Sequence, residues 1–165
     1  MTRLFHLMIL FLPFCTMQAQ ISISCVSPEA SQFDFWVGTW DLTWNDSIHG
    51  SNIITKEMGS CVIHENFSDP STKYIGQSFS VFNPQTKTWQ QTWVDNQGAY
   101  MSFEGTYQNG KMILSRTITV KGQKTIQRMV FCNITANAFD WYWEASTTSG
   151  TTWKTNWLIH YKRKA

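Results

Sequence analysis

The sharpest chemistry in this sequence lies in Gln91, Arg116 and Gln127, which fall at equivalent positions of successive apolar-polar alternations. An arginine on an otherwise apolar strand face is costly unless something pairs with it. Its planar fork matches a carboxylate, and flanking amides add donors and acceptors. Together they suit an anionic or carbonyl head group. Trp89, Trp93, Phe103 and Met129 would hold the apolar remainder, as in pockets with apolar walls and a few convergent polar groups. The competing reading pairs Arg116 internally with Glu65, Glu144 or Asp41, so that it only fixes the core.

Other reactive residues are more scattered. His64 and Glu65 are the one neighbouring pair suited to proton transfer, but adjacent strand residues point to opposite faces. His160 shares a face with Lys154 and Asn156; a lone histidine inside a barrel would suit haem. There is no Gly-x-Ser-x-Gly elbow, phosphate loop or metal signature, so no catalytic residue, metal or cofactor is predicted. Cys25, Cys61 and Cys132 allow one disulfide and one thiol in three pairings. Asn45, Asn66 and Asn133 open glycosylation sequons, which matter only in a eukaryotic host.

Strands must position these residues. Ser27-Pro28-Glu29 predicts a short helix from Pro28 to about Trp36. Beyond Gly38, β-branched and aromatic residues alternate with polar ones, and nine turns separate ten strands. The turns are Asp46 to Gly50, Gly59-Ser60, Asp69 to Thr72, Asn83 to Gln85, Asn96 to Gly98, Asn109-Gly110, Lys121-Gly122, Thr135 to Asn137 and Thr148 to Gly150. No helical pattern supplies parallel crossovers, so the fold class is all-β: an antiparallel up-and-down meander, closed into a barrel to remove its edges. Two-residue turns at Asn109-Gly110 and Lys121-Gly122 put Phe103 opposite Arg116, Met101 opposite Ile118, and Arg116 opposite Gln127. A three-residue turn at Asn96 to Gly98 puts Gln91 beside Phe103. Trp89, Trp93, Met101, Phe103, Tyr107, Met112, Leu114, Ile118, Met129 and Phe131 then face inward. Trp153, Trp157, Ile159 and Tyr161 share one face of the last strand.

The segment Phe33 to Leu42, with Gly38-x-Trp40 after a short helix, resembles the opening of lipocalin-like (calycin-like) barrels. More closely, the chain resembles a mostly bacterial, often exported domain family of unknown function. The likeness rests on FDFWVGTWDL, Cys61 to Glu65, Gly76-Gln77-Ser78, Trp89 to Asp95, Phe103-Glu104-Gly105 and Ser146 to Trp153. It covers about residues 33–162. Ser60 between Gly59 and Cys61, and Thr148 where an Asp is usual, depart from the pattern. The resemblance implies a barrel with Trp40 packed at its closed end under a basic residue, for which Arg163 is the counterpart. It brings no established reaction.

The chain of 165 residues matches one domain at roughly 100–200 residues each. Residues 1–20 read as a secretory signal peptide: Arg3, a run from Leu4 to Phe14 that is apolar except for His6, and cleavage near Ala19. Residues 21–165 form the single barrel domain, with no transmembrane segment, in an exported, periplasmic or secreted protein. Neither Cys15 nor Cys25 sits in a lipid-anchor box. Losing Arg3 leaves 12 Lys+Arg against 11 Asp+Glu, which argues against nucleic acid. Lys162-Arg163-Lys164 reads as a solvated tail. All nine Trp lie after the signal segment. The leading functional expectation is a barrel binding a small hydrophobic ligand. The alternatives are an enzyme on such a molecule, marked by Glu65 or Glu144 inside a cavity clear of Arg116, and a solid-core envelope protein. A lumen far below roughly 300–1,000 Å³ favours the last.

Overall fold

The computed structural model describes residues 25, 27–45 and 47–164; the predicted signal segment lies outside them. Alternating burial runs through β1 (Gly38–Trp44), β2 (Ser47–Glu57), β3 (Val62–Asp69), β4 (Tyr74–Asn83) and β5 (Thr88–Asp95). Five strands follow, β6 (Tyr100–Gln108), β7 (Lys111–Val120), β8 (Gln123–Cys132), β9 (Ala138–Ser146) and β10 (Lys154–Arg163), and the alternation is lost in β8, where Met129 to Cys132 are all buried, and in β9. Each strand pairs antiparallel with the next, and β1 pairs with β10. The result is a closed ten-stranded up-and-down barrel, consistent with a calycin-like fold.

The turns that set the register behave as their residues dictate. Asn109 and Gly110 have φ of 52° and 75°, and Lys121 and Gly122 have 49° and 81°. Positive φ at both central residues defines the hairpin turn whose twist matches its strands. Gln91 accordingly lies beside Phe103, Gly105 beside Leu114, and Arg116 beside Gln127.

Five expectations need correction. The N-terminal helix is two 3-10 turns, Glu29–Ser31 and Asp34–Trp36. Ala30, Phe33 and Trp36 are the buried residues, and a spacing of three puts them on one side of a 3-10 helix but spreads them around an α-helix. The predicted turn from Asp46 to Gly50 is shorter, because Ser47 to Gly50 already belong to β2. A Cβ on Gly50 would come 2.6 Å from the Ser68 carbonyl oxygen, so this glycine serves close strand approach. The β6–β7 ladder ends at Glu104 and Ser115, so Phe103/Arg116 and Met101/Ile118 are not ladder pairs. Trp153 leaves the inward face: the register shifts between Thr155 and Trp157, and the ring lies under the Arg128 guanidinium, 3.5 Å from Cζ. Finally, Arg163 is no solvated tail.

Arg163 locks the closed end of the barrel. Its Cζ lies 4.2 Å from the centre of the Trp40 ring. Its Nε, Nη1 and Nη2 donate to the carbonyls of Ala136, Val37 and Phe35 at 2.9, 2.9 and 3.3 Å. Gly38 is required there, since a Cβ would sit 2.1 Å from Nη1 and φ is +139°. Phe33 and Trp36 plug this end against Phe131, with the Trp89 edge against Phe33. The Cys25–Cys61 disulfide ties the segment before the plug to the β2–β3 turn, leaving Cys132 as a buried thiol. Among the described residues no helix is long and apolar enough to cross a membrane.

Candidate functional site

Alternation along β3 buries Ile63, Glu65 and Phe67 and turns His64 outward. His64 stacks on Phe79, and its Nδ1 lies 2.8 Å from Glu57. The two members of the candidate proton-transfer pair therefore occupy opposite faces, as expected. Glu65 enters the barrel. Its Oε1 accepts from Asn52 Nδ2 at 2.7 Å, and its Oε2 accepts from Ser78 Oγ at 2.5 Å. Asn52 Nδ2 also donates to the Tyr161 hydroxyl at 3.1 Å. Burial pushes the Glu65 carboxyl up to about 7, partly offset by the Ser78 and Asn52 hydrogen bonds. Burial likewise raises the Tyr161 hydroxyl well above its ordinary range.

Glu65 borders a lumen cavity of about 120 Å³. Phe67, Tyr74, Trp93, Trp141, Trp157 and Tyr161 form much of its aromatic wall. Tyr74 Oη and Trp93 Nε1 both donate to Asp95 Oδ2, at 2.8 and 3.0 Å. Burial works against the Asp95 charge, but Trp93, Tyr74 and backbone donors hold its carboxyl below the usual range. Two fully buried polar atoms of lining residues meet no partner among the described residues: Trp36 Nε1 and Gln91 Oε1. The Gln91 Nε2 donates to Ser80 Oγ at 2.9 Å.

Where β6 and β7 part, the barrel wall opens into a cleft of about 540 Å³. Arg116 lines it, with the exposed Phe79 and Val81 on its outer lip. Arg116 Nε donates to Gln127 Oε1 at 2.8 Å, and its Cζ lies 5.2 Å from the centre of the Phe103 ring. Among the described residues it makes no ion pair. Glu144 is held by Arg128 at 2.6 Å, and Glu65 by the neutral donors above. Burial lowers the Arg116 guanidinium from its ordinary value. Gln91 and Phe103 line both the cleft and the lumen.

No family model matches the chain, and no curated protein sequence matches it. Side-chain chemistry therefore has to carry the functional reading. Of the residues singled out from sequence, Gln91, Trp93, Phe103 and Met129 line the lumen. Arg116 lines the cleft and Gln127 holds it. Trp89 is nearly fully buried against the plug, where its Nε1 donates to Gln32 at 3.3 Å. Trp141 and Trp143 were missed, although the Trp-Tyr-Trp alternation puts both on one strand face. Tyr74 gave less signal, standing at the first position of its strand. His160 points outward to Asp140, with Nδ1 2.6 Å from Oδ1. Among the described residues no cluster of His, Cys, Asp and Glu is arranged to hold a metal.

Proposed function

We propose that this protein is an exported barrel that holds a small, mainly apolar ligand, with an anionic or carbonyl head group received by Arg116. It would stand with the exported bacterial domain family that its motifs resemble. One observation carries this reading: a half-buried arginine without a carboxylate partner stands at a cleft that shares Gln91 and Phe103 with an aromatic lumen. Gln127 takes only Nε, which leaves the guanidinium fork for a carboxylate. Trp93, Phe103 and Met129 supply apolar wall, and Trp89 backs that wall from the plug. The Cys25–Cys61 disulfide suits an oxidising compartment and so supports export.

The test begins with protein unfolded and refolded to strip carried ligand. Fatty acids, retinoids and terpenoid carboxylates are then titrated against Trp fluorescence, with native mass spectrometry as a second readout. Arg116→Ala is expected to weaken carboxylate binding by about 10–100-fold, the equivalent of a charged hydrogen bond worth roughly 1.5–3 kcal/mol. No response from the wild type, or an unchanged affinity in the variant, would overturn the assignment.

The lumen volume favours a second reading. At about 120 Å³ it lies below the roughly 300–1,000 Å³ of ordinary small-molecule pockets, though an engineered cavity of about 150 Å³ binds benzene. A solid-core envelope protein would give no response to any ligand. The enzyme reading has its own support, because Glu65 borders the cavity clear of Arg116.

A further inference from the structure

The walls of the lumen carry acidic groups and aromatic rings but no basic side chain. Glu65, Tyr74 and Tyr161 are the ionisable residues among its lining, and no Lys, Arg or His lines it. Aromatic faces carry the negative side of the ring quadrupole. The polar hydrogens of Tyr74 and Trp93 are engaged by Asp95, so those two rings do not direct them into the cavity. The fully buried donor of the lining that meets no partner among the described residues, Trp36 Nε1, belongs to the plug segment. The Glu65 carboxyl is buried with Asn52 and Ser78 as neutral donors, and no cation faces it among the described residues. A buried carboxyl in such a place either keeps its proton or waits for a cation. Aromatic walls around a carboxylate are the chemistry that recognises methylated ammonium groups. The small lumen suits a compact head of that kind.

We infer that the lumen takes the methylated-ammonium end of a zwitterion, seated among the aromatic rings beside Glu65, while the carboxylate of the same molecule lies on Arg116. This rests on the proposed ligand pocket and names the class of molecule it takes. Gln91 and Phe103, which line both spaces, would flank the linker between the two charges.

The probe is a trimethylammonio-alkanoate, compared with its carbon isostere in which a tert-butyl group replaces the trimethylammonium. Binding is read by Trp fluorescence and calorimetry on the full protein. The zwitterion is expected to bind at least about tenfold more tightly than the isostere above pH 7, equivalent to about 1.4 kcal/mol. Its affinity should fall by up to tenfold for each pH unit below about 7 as Glu65 takes up its proton, while the isostere stays flat. The groups around Glu65 leave that window clear. Asn52 and Ser78 do not titrate, and burial raises both the Tyr161 and the Tyr74 hydroxyls. Asp95 beyond Tyr74 is held low, and a guanidinium does not titrate in this range. His64, on the outer face of the same strand, is controlled by His64→Gln, which should leave the profile in place. Glu65→Gln should abolish both the preference and the pH dependence, while the wild-type profile tests the idea without any variant. If the isostere binds as well as the zwitterion, the inference falls and the ligand pocket stands. If neither binds, and simple carboxylates do not bind either, both fall.

Discussion

Replacing Glu65 by Gln should make the protein more stable at mildly alkaline pH. Burial raises the carboxyl from an ordinary value near 4.5 to about 7, so the folded chain holds this proton more tightly than the unfolded chain does. The contribution is fully present below pH 4.5, declines as pH rises through about 7, and is constant above. A change of that size corresponds to about 3 kcal/mol between the two protonation states. Glutamine keeps the shape and the neutral network: its carbonyl accepts from Asn52, and its amide donates to the Ser78 hydroxyl. The assay is urea unfolding of both proteins at about pH 4 and about pH 8.5, compared as a difference of differences. Asp69 and Asp95, both held low, make stability fall in acid, but they do so in both proteins and cancel. The variant should gain about 3 kcal/mol on the wild type between the two conditions, seen in melting as roughly 6–12 °C. If the gap between the two proteins is the same at both pH values, Glu65 is not an uncompensated buried acid.

Other outcomes follow from the same geometry. Cys25→Ser should cost about 4 kcal/mol on the chain-entropy model, because the bridge closes a loop with a sequence separation of 36; denaturant unfolding with and without reductant checks this. Arg163→Ala should destabilise by about 2–4 kcal/mol through three lost carbonyl bonds and the Trp40 contact, and should red-shift Trp emission. Gly38→Ala should be comparably harmful, since its Cβ collides with that guanidinium. Cys132 should resist thiol reagents in the folded protein and react on unfolding, because burial keeps the thiol protonated.

Much of the barrel was legible because two tight turns carry residues that accept positive φ. Asn109-Gly110 and Lys121-Gly122 set the pairing of β6 to β8 without any long-range information. The Trp40–Arg163 contact was legible only through resemblance, since nothing local links residues so far apart. Three features needed the closed structure. The parting of β6 from β7 depends on how a finite sheet curves around a lumen, and no dipeptide encodes that. The register shift at Thr155/Trp157 carried Trp153 outward because one extra residue reverses every alternation before it. Nothing in the sequence tells whether Glu65 pairs with Arg116; its isolation emerged once its side-chain partners on β2 and β4 proved to be Asn52 and Ser78.

The Arg163 latch also sets an order of events in time. It joins the tenth strand to carbonyls of the plug as much as 128 residues earlier in the chain, and β1 finds its second partner only in β10. Loop closure over such a span is slow compared with forming any one hairpin. During synthesis the nine hairpins can appear one after another, yet β1 keeps a bare edge until the last strand has been made. A nascent or partly unfolded chain is therefore an open ribbon with an exposed aromatic face, and the seam between first and last strands is where it commits to the barrel. Slowing that one step, by a longer terminal extension or a weakened latch, should raise aggregation during refolding more than it lowers equilibrium stability.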